Sequence, residues 1–79
     1  MDIDHEDDAR ELYSNFFKVG FNAAEFLVDF GRQFEGAQEH IYQRIITSPV
    51  HAKALSRLLE KSVRGYEEKF GLIAEDLSS

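Results

Sequence analysis

The sequence contains no cysteine and only one proline. Without cysteine, disulfide bonds and thiolate metal sites are excluded. No apolar run approaches the ~20 residues that a membrane-spanning helix needs. The N-terminus is acidic and lacks the apolar region of a signal peptide. We therefore expect a cytoplasmic protein whose stability comes from the burial of apolar side chains.

Apolar and aromatic residues are abundant by comparison. Hydrophobic residues make up 43% of the 79 residues and charged residues 30%, and the chain has seven Phe and three Tyr. This balance is typical of one small folded domain. A core of this size rarely supplies more than about 3–5 kcal/mol. Association with another chain is the remaining source of stability, so we expect a homo-oligomer.

The net charge of −6 is unevenly distributed. Residues 1–11 contain six acidic residues against Arg10 and have no apolar periodicity. We predict an acidic, flexible leader over 1–11, a single α+β domain over 12–73 and a frayed C-terminal tail over 74–79. A pI near 4.9 argues against a nucleic-acid-binding protein, although much of the acidity lies in the leader.

Two runs after the leader alternate apolar and polar residues, as strands do. The apolar side chains that share one face are Phe17, Val19, Phe21, Phe26, Val28 and Phe30. The short link 22–24 predicts a hairpin, and Asn22 is suited to a positive φ in it. A third run, 39–47, alternates less clearly and predicts a third antiparallel strand.

A long helix is predicted from Pro49 to the residue before Gly71. Ser48 is a suitable N-cap, proline is favoured at the first helical position, and Gly71 suits the C′ position. Leu72 and Ile73 can then fold back on the last turn. An apolar stripe recurs at helical spacing and consists of Leu55, Leu59, Val63, Tyr66 and Phe70.

The order β-β-β-α predicts an α+β fold: a three-stranded antiparallel sheet with one long C-terminal helix packed on it. The side chains expected at the buried contact are Phe26, Val28, Phe30, Leu55 and Leu59. A helix of ~33 Å would overhang a sheet only ~14 Å wide. The other sheet face is also partly apolar, which favours a homodimer. Its interface candidates are Phe16, Leu27, Tyr42 and Ile46.

Several segments resemble a family of small prokaryotic proteins catalogued as domain of unknown function 3467. They are Tyr13-Ser14-Asn15, Glu25-Phe26-Leu27-Val28-Asp29-Phe30, Arg44-Ile45-Ile46-Thr47-Ser48-Pro49-Val50-His51-Ala52-Lys53 and Tyr66-Glu67-Glu68-Lys69-Phe70-Gly71. The resemblance covers roughly residues 12–73 and leaves the acidic leader outside. It implies a compact cytoplasmic module and carries no assigned reaction, cofactor or partner, so it transfers no functional residue.

Basic residues near the helix give two candidate binding sites. Arg44, His51 and Lys53 surround the helix start, where backbone N–H groups can bind an anion. Alternatively, Arg44 pairs across the sheet with Glu25 or Asp29.

A basic line along the helix is the second candidate, since nucleic-acid binding rests on phosphate neutralisation. It consists of Lys53, Arg57, Lys61 and Arg64. The alternative is a solvated helix face in which Glu60 and Glu68 pair with Arg64.

The sequence contains few residues arranged for catalysis or for metal binding. The three histidines have no metal-ligand spacing, and no glycine-rich phosphate loop or nucleophile elbow is present. We expect no catalytic residue, metal or cofactor. The sequence favours a non-enzymatic, homo-oligomeric protein-interaction module whose partners are a second copy and another protein. The alternative is a single-stranded nucleic-acid-binding protein that uses the basic helix face or the aromatic sheet. A small-anion binder is a third, weaker reading.

Overall fold

The computed structural model describes residues 11–75 and contains three strands and one helix. The strands are β1 (Phe16–Phe21), β2 (Phe26–Arg32) and β3 (His40–Thr47), and the helix is α1 (Pro49–Phe70). The strands form one antiparallel sheet in the order β1-β2-β3. The predicted sheet followed by one C-terminal helix is confirmed. Most of the predicted leader and of the predicted tail lies outside the described residues.

Aromatic pairs across β1 and β2 confirm the predicted shared face. The rings of Phe17 and Phe30 meet edge to face with centroids 5.7 Å apart, and those of Phe21 and Phe26 stack at 5.5 Å. Such cross-strand pairs add about 0.5–1.5 kcal/mol beyond the area that they bury. They fix the register of the hairpin, because a shift of one residue would move each ring to the opposite face.

The hairpin link turns without the positive φ predicted for Asn22. None of the described residues other than glycine has a positive φ. Instead, the Asn22 side-chain oxygen accepts hydrogen bonds from the backbone N–H of Ala24 at 2.8 Å and of Glu25 at 2.9 Å. The Asn22 N–H donates to the Glu25 carbonyl at 3.0 Å. The prediction was wrong because the asparagine acts through its side-chain carbonyl, which mimics a backbone acceptor.

Two polar side chains fasten the segment before β1 to β2. The Ser14 hydroxyl donates to the Gly31 carbonyl at 2.8 Å and accepts from the Gly31 N–H at 3.1 Å. The Asn15 amide accepts from the Gln33 N–H at 2.8 Å and donates to the Gln33 carbonyl at 3.0 Å. Together they extend the pattern of the β-ladder beyond the point where β1 begins. The Tyr42 hydroxyl holds the same segment from β3 by donating to the Tyr13 carbonyl.

Gly31 is buried at a position where β2 lies tightly against β3. A Cβ atom placed there would collide with the carbonyl oxygen of His40 and lie 3.0 Å from the Ile41 Cδ1. Gly31 also exchanges hydrogen bonds with Ser14 on its other side. Glycine is therefore required here by the space between the strands.

Both ends of α1 are capped as predicted. Ser48 is the N-cap, and its hydroxyl accepts from the His51 N–H at 3.1 Å. At the other end Gly71 has a φ of 99° and donates its N–H to the Glu67 carbonyl at 3.0 Å. The chain then folds back through its backbone, because the Ile73 N–H donates to the Glu67 carboxylate at 2.9 Å. The Leu72 side chain, in contrast, stays exposed.

The chain divides into two compact units. One contains residues 27–45 and the described residues up to 20, and the other contains residues 21–26 and those from 46 onward. Asp29 is the one buried residue with a polar or charged side chain among those described, and no described hydrophobic residue is buried.

The predicted burial of the five side chains at the proposed contact is therefore not found. Leu55 is 44% exposed and Leu59 is 56% exposed, while Phe26, Val28 and Phe30 are half-buried. A helical apolar stripe is buried only where a second apolar surface covers it. Both leucines of the stripe are exposed, so the periodicity identified an apolar face correctly but not its burial.

Candidate interaction surfaces

The largest exposed apolar feature of the helix is the stripe formed by Leu55, Leu59, Val63, Tyr66 and Phe70, referred to below as the α1 stripe. All five side chains are exposed, from 44% for Leu55 to 66% for Phe70. The Tyr66 and Phe70 rings contact each other, with centroids 5.0 Å apart. Contiguous exposed apolar surface marks an interaction site. The α1 stripe is thus a candidate contact surface for another protein chain.

The predicted basic line runs along the opposite side of the same helix. At 100° per residue, Arg57 and Lys61 lie about 160° around the helix from Leu59. Arg64 pairs with Glu60 at 2.9 Å, as one of the two readings predicted. Lys53, Arg57 and Lys61 form no ion pair with any described residue. An acidic or phosphate-bearing partner could contact these three side chains while the α1 stripe is covered.

The side chains of two of the three residues predicted around the helix start, Arg44 and His51, have hydrogen-bond partners of their own. Arg44 is engaged on β2, where its Nε donates to Asp29 Oδ1 at 2.7 Å and its Nη2 donates to Oδ2 at 3.0 Å. The predicted alternative, a cross-strand pair with Asp29, is therefore what the structure contains. The His51 Nδ1 lies 2.8 Å from the Ser48 hydroxyl. Of the three, only the Lys53 side chain lacks a polar partner among the described residues.

The Asp29–Arg44 pair also shifts the pKa values of both groups. Hydrogen bonds from Arg44 lower the pKa of the Asp29 carboxyl by more than burial raises it. The same bonds raise the pKa of Arg44. Both groups consequently stay charged at neutral pH, and the arrangement fixes β2 against β3 through a bidentate pair.

The other face of the sheet is less exposed than the sequence suggested. Of its four interface candidates, Phe16, Leu27 and Tyr42 are half-buried, and Ile46 alone is exposed, at 56%. Tyr42 reaches Tyr13 through its hydroxyl. The Lys18 ammonium lies 5.9 Å from the centroid of the Phe16 ring. Contacts within the chain thus cover part of this face, which makes it a weaker interface candidate than the α1 stripe.

A cation–π cluster at the end of β2 was not anticipated from the sequence. The Arg32 guanidinium lies 5.5 Å from the Tyr13 ring centroid and 5.0 Å from that of Phe34. Tyr13 and Phe34 are both exposed. The spacing of Arg32 and Phe34, two residues apart, could have indicated that these two side chains meet. The contact with Tyr13 could not have been predicted, because Tyr13 belongs to a different segment of the chain. Exposed aromatic rings of this kind can stack on nucleic-acid bases.

Residues 11–75 contain no group of three or more His, Cys, Asp or Glu side chains able to hold a metal ion. The helix of this part is too polar to cross a membrane.

The fold and its surfaces define a small α+β module with exposed apolar faces. The family model described as protein of unknown function (DUF3467) matches residues 3–75, and the chain belongs to this family. The resemblance read from the sequence is confirmed. The expectation that the acidic leader lies outside the family is wrong, because the match begins at residue 3. No curated protein matches the chain, and neither does any solved structure.

Proposed function

We propose that the protein is a non-enzymatic protein-interaction module that acts in the cytoplasm as a homo-oligomer. The observation that carries this proposal is the exposure of the α1 stripe together with the lack of any buried hydrophobic residue among residues 11–75. A domain without a buried core has little to offset its conformational entropy. A second copy is the simplest source of the missing apolar contact.

An obligate oligomer is favoured on energetic grounds. Full burial of one Leu, Val or Phe side chain is worth about 1.5–3 kcal/mol. Five half-exposed side chains on α1 therefore offer several kcal/mol that the single chain does not use. Small domains are stable by only a few kcal/mol in total, so this contribution would decide whether the chain is folded. Folding and self-association would then occur together.

Self-association through α1 would leave other surfaces free for a further protein. The basic line faces away from the α1 stripe, and the Tyr13–Arg32–Phe34 cluster lies on residues outside α1. A symmetric oligomer would present each of these surfaces in more than one copy. Repeated presentation strengthens the binding of a multivalent partner without any new contact. We place the recruitment of another protein at these surfaces.

The concentration dependence of thermal stability tests the proposal. We expect the melting temperature of the parent protein to rise between about 1 and 100 μM, because mass action stabilises a folded oligomer. Leu59→Glu places a charge within the α1 stripe and should remove both the stability and its concentration dependence. Val50→Glu is the matched control, since Val50 is exposed on the opposite side of α1. A folded parent with a concentration-independent melting temperature would overturn the proposal.

Single-stranded nucleic-acid binding is the second candidate function. One observation favours it: the exposed rings of Tyr13 and Phe34 both lie close to the Arg32 guanidinium, and exposed rings of this kind can stack on bases. Oligonucleotide retention at low salt that falls with Arg32→Ala would support this candidate. Retention unchanged by that substitution, or absent at every salt concentration, would exclude this cluster as the binding site.

A further inference from the structure

Two exposed apolar surfaces of different shape occur on the same chain. The first is the α1 stripe. The second is the Phe-rich face of β1, formed by Phe17, Val19 and Phe21, which are 56%, 63% and 77% exposed. β1 is an edge strand of the sheet. Stable layered folds cover an apolar sheet face with a helix or a second sheet. Each chain thus carries one helical and one sheet-like apolar surface, and both are exposed.

Resting on the proposed homo-oligomer, we infer that α1 of one copy packs on the Phe-rich face of β1 in a second copy, and that the second copy does the same in return. This arrangement is two-fold symmetric, and the same pair of surfaces is used on both chains. Pairing of two α1 stripes with each other would cover the helices and leave Phe17, Val19 and Phe21 exposed on both sheets. Reciprocal exchange covers both surfaces in one closed dimer.

The available area fits a stable dimer. Aromatic side chains bury about 150–250 Å² each when fully covered. A half-exposed aromatic side chain offers roughly 100 Å² or more and a Leu or Val somewhat less, so the eight side chains of one copy offer on the order of 1,000 Å² at most. The pair would then bury up to about 2,000 Å², which lies at the boundary between standard and obligate interfaces. A contact between the two α1 stripes alone would bury only about 1,200 Å².

The dimensions of the elements also fit. The 22 residues of α1 give a length of about 33 Å. The 6 residues of β1 span about 20 Å. The stripe runs from Leu55 to Phe70, over about 22 Å of helix axis, and therefore matches the length of the strand that it would cover. Tyr66 and Phe70 supply large rings at one end of the stripe, and two leucines supply smaller side chains at the other.

Site-directed disulfide crosslinking tests this arrangement cleanly, because the chain has no native cysteine. Val19→Cys places a thiol on β1, and Val63→Cys places one at the centre of the α1 stripe. The two variants are unfolded together, refolded as a mixture and mildly oxidised, with an affinity tag on one chain so that the crosslinked products differ in mass. A disulfide forms only where the two Cα atoms lie about 4.4–6.8 Å apart.

The expected result is a product that joins Val19→Cys of one chain to Val63→Cys of the other, in excess of either self-linked product. Arg57→Cys replaces Val63→Cys in the control mixture. It lies on the opposite side of α1 and should give no such product. A chain that carries both Val19→Cys and Val63→Cys should become covalently linked to its partner rather than within itself.

Three other outcomes would overturn the exchange. Self-linked Val63→Cys product alone would show that α1 stripes pair with each other. A disulfide within the doubly substituted chain would show that α1 covers its own sheet. No crosslink in a sample of dimeric mass would place the interface elsewhere. The first and third leave the proposed homo-oligomer intact, whereas a parent protein that sediments as a single folded chain removes both.

Discussion

Arg44 holds Asp29 by two hydrogen bonds, from Nε to Oδ1 at 2.7 Å and from Nη2 to Oδ2 at 3.0 Å. The Asp29 side chain is only 5% exposed, whereas that of Arg44 is 59% exposed. The carboxylate is therefore shielded from water, and the Arg44 guanidinium compensates most of its charge, with a smaller contribution from Lys18. Removing Arg44 would leave a buried carboxylate without its charged partner, which is far more costly than the loss of an exposed pair.

Arg44→Ala should lower stability at pH 7 and change its dependence on pH. In the parent, the pKa of folded Asp29 is lowered, so its contribution is complete above the ordinary carboxyl pKa of about 4. That contribution is lost as the pH falls through the lower folded value. In the variant, the Asp29 carboxylate stays buried but has lost the guanidinium. Protonation then removes the cost of the buried charge, so acid no longer lowers the stability contributed by this site. Urea unfolding of both proteins between pH 7 and 3 should show their difference in stability shrinking with acid. A constant difference would contradict this account.

Gly31→Ala should destabilise the protein by about 1–3 kcal/mol, the usual cost of overpacking. The added methyl group would meet the His40 carbonyl oxygen and the Ile41 side chain. Gly20→Ala is the matched control, because Gly20 also lies within a strand and a Cβ there meets nothing within 4 Å. Denaturant midpoints compare the two. Equal midpoints would mean that β2 and β3 separate easily at residue 31.

Asn15→Asp should destabilise the segment before β1, although its shape barely changes. The Asn15 amide donates to the Gln33 carbonyl and accepts from the Gln33 N–H. A carboxylate would keep the acceptor and place a second oxygen against the carbonyl. We expect a loss of about 1 kcal/mol, the value of one net hydrogen bond.

Two further variants complete that comparison. Gln33→Ala should be nearly neutral, because the contacts of Asn15 involve only the Gln33 backbone. Ser14→Ala should cost about 1–3 kcal/mol, since it removes the hydroxyl that bonds both backbone groups of buried Gly31. Thermal melting ranks the three variants. A Gln33→Ala variant as unstable as Asn15→Asp would contradict the backbone pairing.

Ser48→Ala should lower stability by about 1 kcal/mol through loss of the N-cap. The Ser48 hydroxyl accepts from the His51 N–H, a donor that has no partner within the helix. Ser56→Ala is the control, because the Ser56 hydroxyl donates only to the Lys53 carbonyl within the helix. Alanine at position 56 should be neutral or slightly stabilising. Far-UV circular dichroism during heating provides the comparison.

The strands and the helix could be predicted because each depends on a pattern contained within one short stretch of sequence. The alternation through Phe17 and Phe21 predicted β1, and the sequence from Ser48 to Gly71 predicted α1 with both caps. The positive φ predicted for Asn22 was wrong because asparagine can form a turn either by its own φ or by its side-chain oxygen. The residue type alone does not distinguish the two. The Ser14–Gly31 and Asn15–Gln33 bonds join residues too far apart in sequence for a local pattern to pair.

The candidate surfaces were harder to predict, because exposure depends on the whole fold. The sequence placed Leu55 and Leu59 in a contact with the sheet, although periodicity reveals only that a face is apolar. It does not reveal whether the cover comes from the same chain or from another. For the same reason, half-buried Phe16 and Tyr42 were given more weight as interface candidates than the exposed α1 stripe.

The mass of the folded protein in solution tests the central claim most directly. Sedimentation equilibrium at micromolar concentration, with circular dichroism on the same sample to confirm the helix, gives that mass without any substitution. We predict a mass of at least two 9.1 kDa chains, and a dimer is the first expectation. A helical sample that sediments at 9.1 kDa at every concentration would contradict it.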